Sequence, residues 1–277
     1  MLTVKNHSRD SAGMKYVYPV ISRRAGGVSV GINLNVNNAC NWACIYCQVP
    51  DLKRGAPPPV DLHQLEMELT QLLEQVTRGD FLEKNVPENA RQLIDIAFSG
   101  NGEPTSAPEF PAVVELTGRV LTHFGLANSV KLRLITNGSL MHREYVRQGI
   151  RRIGELGGEI WFKVDRGSSA GILQINRINL KPETLTKSIS LCSRLAPTWI
   201  QSCFFAIDDK AMDDAEFSAY LKLISSVRHE IQGVHLYGLA RAPQQPEGHR
   251  LSALSAESLD DFARKISALD IKVVVSP

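Results

Sequence analysis

The sequence lacks any apolar run approaching the roughly 20 residues that a helix needs to cross a bilayer. Its first 20 residues also lack the charged-then-apolar layout of an export signal. No sign of charge is in large excess, because 31 Lys and Arg face 29 Asp and Glu in 277 residues. We therefore expect a cytoplasmic protein with no membrane partner, and not one whose whole surface is built for nucleic acid.

Cysteine is scarce and unevenly distributed. Three of the five cysteines, Cys40, Cys44 and Cys47, lie within eight residues, whereas Cys192 and Cys203 are distant. An odd number with such clustering is a poor disulfide framework. In a reducing compartment it is typical of metal binding or catalysis.

Apolar runs typical of strands alternate with periodic runs typical of helices, which indicates βα units around a parallel sheet. Six units without a linker predict an α/β fold with one domain over residues 1–277, a partial (βα)6 TIM-like barrel. Residues 1–27 are expected to be a short extension. The predicted strands lie near Val28–Leu34, Leu93–Phe98, Val130–Ile135, Glu159–Val164, Trp199–Ala206 and Gly233–Tyr237, with a short final strand at Ile271–Val275.

Several unusual segments follow these strands. CNWACIYC, within a loop at about 36–50, follows the first strand; SGNGEPT (99–105) follows the second and TNGS (136–139) ends the third. Ligands of such sheets bind at the carboxyl ends of the strands. We therefore expect these segments to meet at one binding site.

The three clustered cysteines are spaced as C-x3-C-x2-C. Thiolates are the natural ligands of iron–sulfur clusters, normally four for a 4Fe–4S cluster. Three ligands leave one iron open, provided that neither Cys192 nor Cys203 reaches it. A structural zinc site and three unrelated thiols are the alternatives, but zinc usually needs four ligands in paired spacing, and no second Cys-x2-Cys or His pair lies nearby. We predict one 4Fe–4S cluster on Cys40, Cys44 and Cys47.

This spacing, with Tyr46 before the last cysteine, resembles the signature of the radical S-adenosylmethionine (SAM) superfamily, and the resemblance covers about Val17 to Val275. In that family SAM chelates the fourth iron, and one electron from the cluster cleaves it to methionine and a 5′-deoxyadenosyl radical that abstracts a substrate hydrogen. The resemblance implies a radical SAM core and an enzyme with 4Fe–4S and SAM as cofactors. It also implies a flavodoxin or ferredoxin as electron donor.

The segment SGNGEPT resembles the family's glycine-glutamate-proline motif, which implies that Gly100, Gly102 and Glu103 bind the amino group of SAM. Glycines let the backbone approach a ligand closely. Asn137 is expected either to bind SAM or to stabilise a turn. The ordinary strand-to-helix turn remains the alternative for both segments.

On the fourth strand, Lys163 and Asp165 alternate with Phe162 and Val164 and should therefore face the barrel interior. Charges there are costly without a partner or ligand. The family resemblance implies a contact with the ribose or carboxylate of SAM, and a mutual ion pair is the alternative.

After the sixth strand, LYGLARAP is expected to bracket adenine with the backbone of Gly238 and Leu239. Arg241 either meets a carboxylate or phosphate or lies on the surface.

The segments YPVISRR, CIYCQVP, ITNGSL and LYGLARAP resemble a bacterial group labelled Fe–S oxidoreductase, related to wyosine-forming tRNA enzymes. Demethylwyosine synthases carry a second cluster on N-terminal cysteines, and none precedes Cys40 here, so the wyosine reaction itself is not implied. Cys192 and Cys203 are expected to be buried thiols. Cys203 is the single candidate for a methyl-carrying cysteine.

Two substrate classes follow from the sequence. An RNA or nucleoside would be held by the stripe Arg143, Arg147 and Arg151, with Arg152 beside it and Arg23–Arg24 near the first strand. A solvated helix face is the simpler interpretation of that stripe.

A small molecule or peptide would instead be enclosed by loops at Arg166–Leu180 and Arg241–Arg250. An iron–sulfur electron-transfer or binding protein is the non-enzymatic alternative, but it leaves the SAM-type motifs unexplained.

Overall fold

The computed structural model describes residue 2, residues 12–22 and residues 26–277. Its centre is one eight-stranded sheet in which neighbours along the chain are neighbours in space. The strands are β1 (Val17–Ser22), β2 (Gly27–Ile32), β3 (Leu93–Phe98), β4 (Lys131–Thr136), β5 (Glu159–Lys163), β6 (Thr198–Cys203), β7 (Gly233–Tyr237) and β8 (Val273–Ser276).

Strands β2 to β8 run parallel, and β1 pairs antiparallel with β2. The sheet curls into a partial barrel, which confirms the predicted α/β class and partial TIM-like architecture. The predicted strand positions agree with the observed ones to within a few residues.

Strand β1 was not predicted, because residues 1–27 were expected to form an N-terminal extension. Its register runs from Val17 opposite Ile32 to Ser22 opposite Gly27. Pro19 argues against a central strand because proline cannot donate to a ladder, but β1 is the edge of the sheet, where proline is tolerated. The antiparallel edge departs from the fully parallel sheet that we predicted.

Helices follow most of the strands and cover the outer face of the sheet. They are α1 (Leu62–Thr77), α2 (Phe81–Asn85), α3 (Phe110–His123), α4 (Glu144–Glu155), α5 (Ser169–Asn176), α6 (Pro182–Ser193), α7 (Asp214–Ser226) and α8 (Ala256–Ser267). Among the described residues, no helix has both the length and the apolarity to cross a membrane.

The main core lies between the helices and the outer face of the sheet. On β5 and just after it, Ile160, Phe162 and Val164 are at most 1% exposed and belong to this core. Because successive strand residues point to opposite faces, Trp161 and Lys163 face the barrel interior. This confirms the predicted alternation along the strand.

Candidate functional site

A cavity of about 280 Å³ follows the inner face of the sheet. Cys40, Cys44 and Cys47 line it, and all three are half-buried free thiols. Seven of the eight residues predicted to bind SAM line the same cavity; Asp165 does not. The seven are Gly100, Gly102, Glu103, Asn137, Lys163, Gly238 and Leu239.

The segment from Cys40 to Cys47, the cysteine loop, is held by backbone hydrogen bonds. Cys47 N donates to Cys44 O at 3.0 Å, which closes a turn. Ala43 N and Ile45 N donate to the carbonyls of Asn176 and Ile175 at 3.3 and 2.9 Å. The last carbonyls of a helix have no partner within the helix, so the end of α5 provides acceptors for the loop.

Burial controls the protonation of two of the thiols. It raises the pKa of Cys40 to about 11, against a hydrogen bond from the Trp42 backbone to Cys40 Sγ at 3.5 Å. It raises the pKa of Cys44 to about 12, against the positive charge of Lys163. Both thiols are therefore protonated near neutral pH in the metal-free protein, and metal binding there would release protons.

The donor set, three thiols that line one cavity, is of the kind that iron–sulfur clusters use. Over residues 12–22 and 26–277, no three His, Cys, Asp or Glu side chains form a group that could hold one metal ion. Each cysteine of a 4Fe–4S cluster binds a different iron, so its ligands need not converge on one point.

Glu103 is buried, and its carboxylate accepts hydrogen bonds from neighbouring residues of the protein. Oε1 accepts from Thr105 N, Thr105 Oγ1 and Thr136 Oγ1 at 3.2, 2.6 and 2.7 Å, and Oε2 accepts from Asn137 N at 2.7 Å. Burial raises the pKa of Glu103 in spite of these bonds. The carboxylate thus ties the loop after β3 to the end of β4.

The glycines of the SGNGEPT loop are needed for close packing. A Cβ on Gly102 would stand 2.1 Å from the carbonyl oxygen of Ala39, next to Cys40. A Cβ on Gly100 would stand 2.4 Å from Asn33 Oδ1. Only glycine lets this loop lie directly against the segment that carries the first cysteine.

Asn137 stabilises a turn, which is one of the two roles expected of it. Its Oδ1 accepts from Ser139 N and Oγ at 3.0 and 2.7 Å. Its Nδ2 donates to Asn41 Oδ1 at 2.9 Å, which links the TNGS segment to the cysteine loop. Sequence reasoning did not single out Asn41, because an asparagine between two motif residues gives no signal of its own.

Lys163 and Asp165 have separate partners. Lys163 Nζ lies 3.3 Å from the Tyr237 hydroxyl and 4.9 Å from the centre of the Tyr46 ring. Burial alone would lower the pKa of Lys163, but Tyr237 and Asp165 raise it above its usual value. The ammonium in the cavity wall therefore stays charged.

Asp165 lies behind the cavity wall and is 2% exposed. Oδ2 accepts from Tyr46 Oη at 2.5 Å and from Asn176 Nδ2 at 2.8 Å, while Oδ1 accepts from Cys203 N at 3.0 Å. These bonds connect β5, the cysteine loop, α5 and β6. Tyr46 and Asn176 therefore help to hold the cysteine loop and the cavity wall in place.

The two segments expected to enclose a substrate contact the cysteine loop. Arg166–Leu180 contains α5. In Arg241–Arg250, Gln244 N donates to Cys47 O at 2.9 Å, and Gln245 Nε2 donates to Val49 O at 2.8 Å. Both segments therefore help to hold the loop in place.

Cys192 and Cys203 are both buried, as expected. Burial raises the pKa of each thiol to about 12. Cys192 packs in the main core, but Cys203 lines the cavity and is a fourth thiol there.

The arginine stripe on α4 is partly neutralised. Arg147 pairs with Glu144, and Arg152 pairs with Glu115 and Glu155. This arrangement favours a solvated helix face. Arg23–Arg24 lie outside the described residues.

The cavity is also lined by charged side chains that were not predicted from the sequence. Asp95 accepts from Ser29 and pairs with Arg133, whose Nε lies 2.8 Å from Glu159 Oε1. Asp95 and Arg133 line the cavity. The same period-two argument used at Lys163 would have placed them inside the barrel.

Comparison with known proteins gives short or distant matches. No protein-family model matches the chain. It is 28% identical over 135 residues to the UPF0026 protein of Helicobacter pylori, covering 48% of this chain and 38% of that protein. It is 23% identical over 151 residues to a GTPase Obg of Brachyspira hyodysenteriae, covering 54% and 19%. The chain thus matches well under two thirds of each relative.

Solved structures resemble the chain over most of its length. A radical SAM methyltransferase from Sphaerobacter thermophilus has a TM-score of 0.61 at 15% identity, covering 90% of this chain and 66% of that one. The enzyme anSMEcpe with bound AdoMet has a TM-score of 0.53 at 15% identity, covering 88% and 63%. At this identity the likeness establishes the fold alone, which the chain shares with both of these structures.

Proposed function

We propose that the protein is a radical SAM enzyme that holds one 4Fe–4S cluster on Cys40, Cys44 and Cys47. The observation that carries the proposal is the cavity in which these thiols meet the glycine-rich loop after β3, the end of β4, Lys163 and the segment after β7. The fold shared with a radical SAM methyltransferase and with anSMEcpe, whose structure has AdoMet bound, supports it independently. A cluster held there would supply the electron for the reductive cleavage of SAM, the chemistry that leads to removal of a hydrogen atom from a substrate.

The chain's own residues orient the cofactor. The Lys163 ammonium lines the cavity and is a suitable partner for the SAM carboxylate, since its contacts with Tyr237 and Tyr46 involve no carboxylate. Backbone groups of Gly100, Gly102 and Glu103 are expected at the methionine end of SAM.

The remaining predicted SAM contacts have different placements. Gly238 and Leu239, beyond β7, are expected at the adenine, and Asn137 holds the turn beside the cysteine loop. Asp165 is proposed to act on SAM only indirectly, through Tyr46 and Asn176, because its carboxylate does not line the cavity.

For the substrate, a small molecule or peptide fits the site better than RNA. The cavity of about 280 Å³ is partly enclosed by the segments that flank the cysteine loop, and Arg147 of the stripe and the neighbouring Arg152 are already paired. An RNA or nucleoside remains the alternative outcome. RNA that copurifies and is released by salt would identify that alternative.

The proposal is tested with protein reconstituted with iron and sulfide without oxygen. The wild type should bind about four irons and, once reduced by dithionite or flavodoxin, convert SAM to 5′-deoxyadenosine and methionine. The variant with Cys40, Cys44 and Cys47 all changed to Ala should do neither. A matched Cys192→Ala variant should behave as the wild type, because Cys192 lies in the helix-side core. Full iron and sulfide content in the triple variant would refute the ligand assignment.

A further inference from the structure

Asn176, the last residue of α5, connects a buried carboxylate to a cysteine of the loop. Its side chain is buried, and Nδ2 lies 2.8 Å from Asp165 Oδ2 and 3.3 Å from Cys44 Sγ. An amide nitrogen carries two hydrogens, so it can donate to both acceptors at once. The bond to Cys44 is therefore made without loss of the bond to Asp165.

The direction of the Asn176 amide follows from its surroundings. The Asp165 carboxylate, when ionised, only accepts hydrogen bonds. If the amide were reversed, Asn176 Oδ1 would face Asp165 Oδ2, and two acceptors would oppose each other. The nitrogen, and not the oxygen, must therefore face the sulfur of Cys44.

The backbone around Asn176 fixes the amide relative to the loop. Asn176 O accepts from Ala43 N, one residue before Cys44, and Ile175 O accepts from Ile45 N, one residue after it. Arg177 ends α5 in the left-handed region at φ 56°, and its carbonyl accepts from the Arg54 guanidinium. Two backbone hydrogen bonds, one on each side of Cys44, thus hold the Asn176 amide next to the Cys44 sulfur.

We propose that Asn176 is a positioning residue for the cluster: its amide, oriented by Asp165, donates to Cys44 Sγ and raises the reduction potential of the 4Fe–4S cluster. This inference rests on the proposed function. Reduction adds negative charge to the cluster and its sulfur ligands, so a donor to sulfur stabilises the reduced form more than the oxidised form. A purely structural role at the end of α5 would leave the potential unchanged.

The test is a redox titration of the oxygen-free, reconstituted protein, followed by the EPR signal of the reduced cluster. The variants are Asn176→Leu, which keeps a similar shape without a donor, and Asn176→Ala. The control is Ser202→Ala on β6, which removes a buried hydroxyl that bonds Val164 O and Tyr220 Oη. Thermal unfolding and iron and sulfide content are measured on the same samples.

Both Asn176 variants should keep the cluster and shift its midpoint to more negative potential. Loss of one hydrogen bond should change the equilibrium constant for reduction roughly three- to tenfold, where tenfold corresponds to about 59 mV for one electron. The Ser202→Ala control should match the wild type. An unchanged midpoint in both Asn176 variants would overturn the inference, as would loss of the cluster in both folded variants, which would make Asn176 a retention residue. Absence of a cluster from the wild type would instead refute the proposed function.

Discussion

The Tyr46 hydroxyl donates a 2.5 Å hydrogen bond to Asp165 Oδ2 and so joins the cysteine loop to the residue after β5. Tyr46 is 7% exposed and Asp165 is 2% exposed, so water does not compete for this bond. Burial raises the pKa of Tyr46 well above its usual value, with the Asp165 charge adding to the effect. The tyrosine therefore remains a donor at every physiological pH.

Replacing Tyr46 by Phe should loosen the cysteine loop. The change removes a donor to a buried carboxylate, and such bonds contribute about 1.5–3 kcal/mol. We expect a loss of this size in the free energy of unfolding, measured by urea denaturation, and faster amide exchange in Ala43 and Ile45. Tyr145→Phe removes a part-buried hydroxyl that donates to Thr105 O at 3.0 Å, and it should cost less. Equal losses in the two variants would contradict the importance of the bond to Asp165.

Cys203→Ala should leave the cluster intact. Cys203 lines the cavity, but its buried thiol interacts with Tyr237, and the C-x3-C-x2-C set already provides three ligands. We expect unchanged iron and sulfide content and an unchanged absorption spectrum, whereas Cys47→Ala should lose the cluster. If Cys203→Ala loses iron as Cys47→Ala does, the cluster has four protein ligands and no open iron.

Lys163→Met should lower both SAM affinity and stability. The variant loses a charge-assisted bond to the SAM carboxylate, worth about 1.5–3 kcal/mol, so SAM affinity should fall roughly ten- to a hundredfold. The free energy of unfolding should fall, because Tyr237 and Asp165 stabilise the buried ammonium and the buried Asp165 carboxylate loses that interaction in the variant. Calorimetric titration with SAM and thermal unfolding measure the two effects. The control Lys187→Met, on the exposed side of α6, should change neither. Unchanged SAM affinity in Lys163→Met would remove this lysine from the pocket.

Glu103→Ala should weaken both the fold around the site and SAM binding while the cluster is retained. The change leaves the buried Asn137 N–H without its acceptor, which costs about 1–3 kcal/mol. Glu115→Ala, which breaks an exposed ion pair with Arg152, should cost no more than about 1 kcal/mol. Urea denaturation compares the two variants. A stability loss in Glu103→Ala no larger than in the control would show that the carboxylate does not hold the loop.

The fold was largely predictable because alternating apolar patterns and turn segments mark each βα unit. The sequence pointed to the cysteines because three of them so close together are unusual. It pointed to Lys163 because a charge that faces a barrel interior is costly. The strand β1 was missed because Pro19 argues against a central strand, and the sequence does not show that this segment lies at the edge of the sheet. Helix α5 was missed because it spans only eight residues.

The residues that hold the cavity wall in place were harder to predict than those that line the cavity. Asn176 bonds to Asp165, 11 residues away in the sequence, and to Cys44, 132 residues away. No spacing pattern marks such a contact, since it depends on how α5 returns to the cysteine loop. Asp165 was expected in the cavity on the basis of strand alternation alone. The alternation places the residue near the inner face but does not specify which donors its carboxylate meets.

The open iron is tested most directly by the EPR spectrum of the reduced, oxygen-free protein recorded with and without SAM. We expect a 4Fe–4S signal that changes when SAM is added and still changes in Cys203→Ala. A spectrum that is indifferent to SAM, or a preparation that contains zinc in place of a cluster, would contradict it.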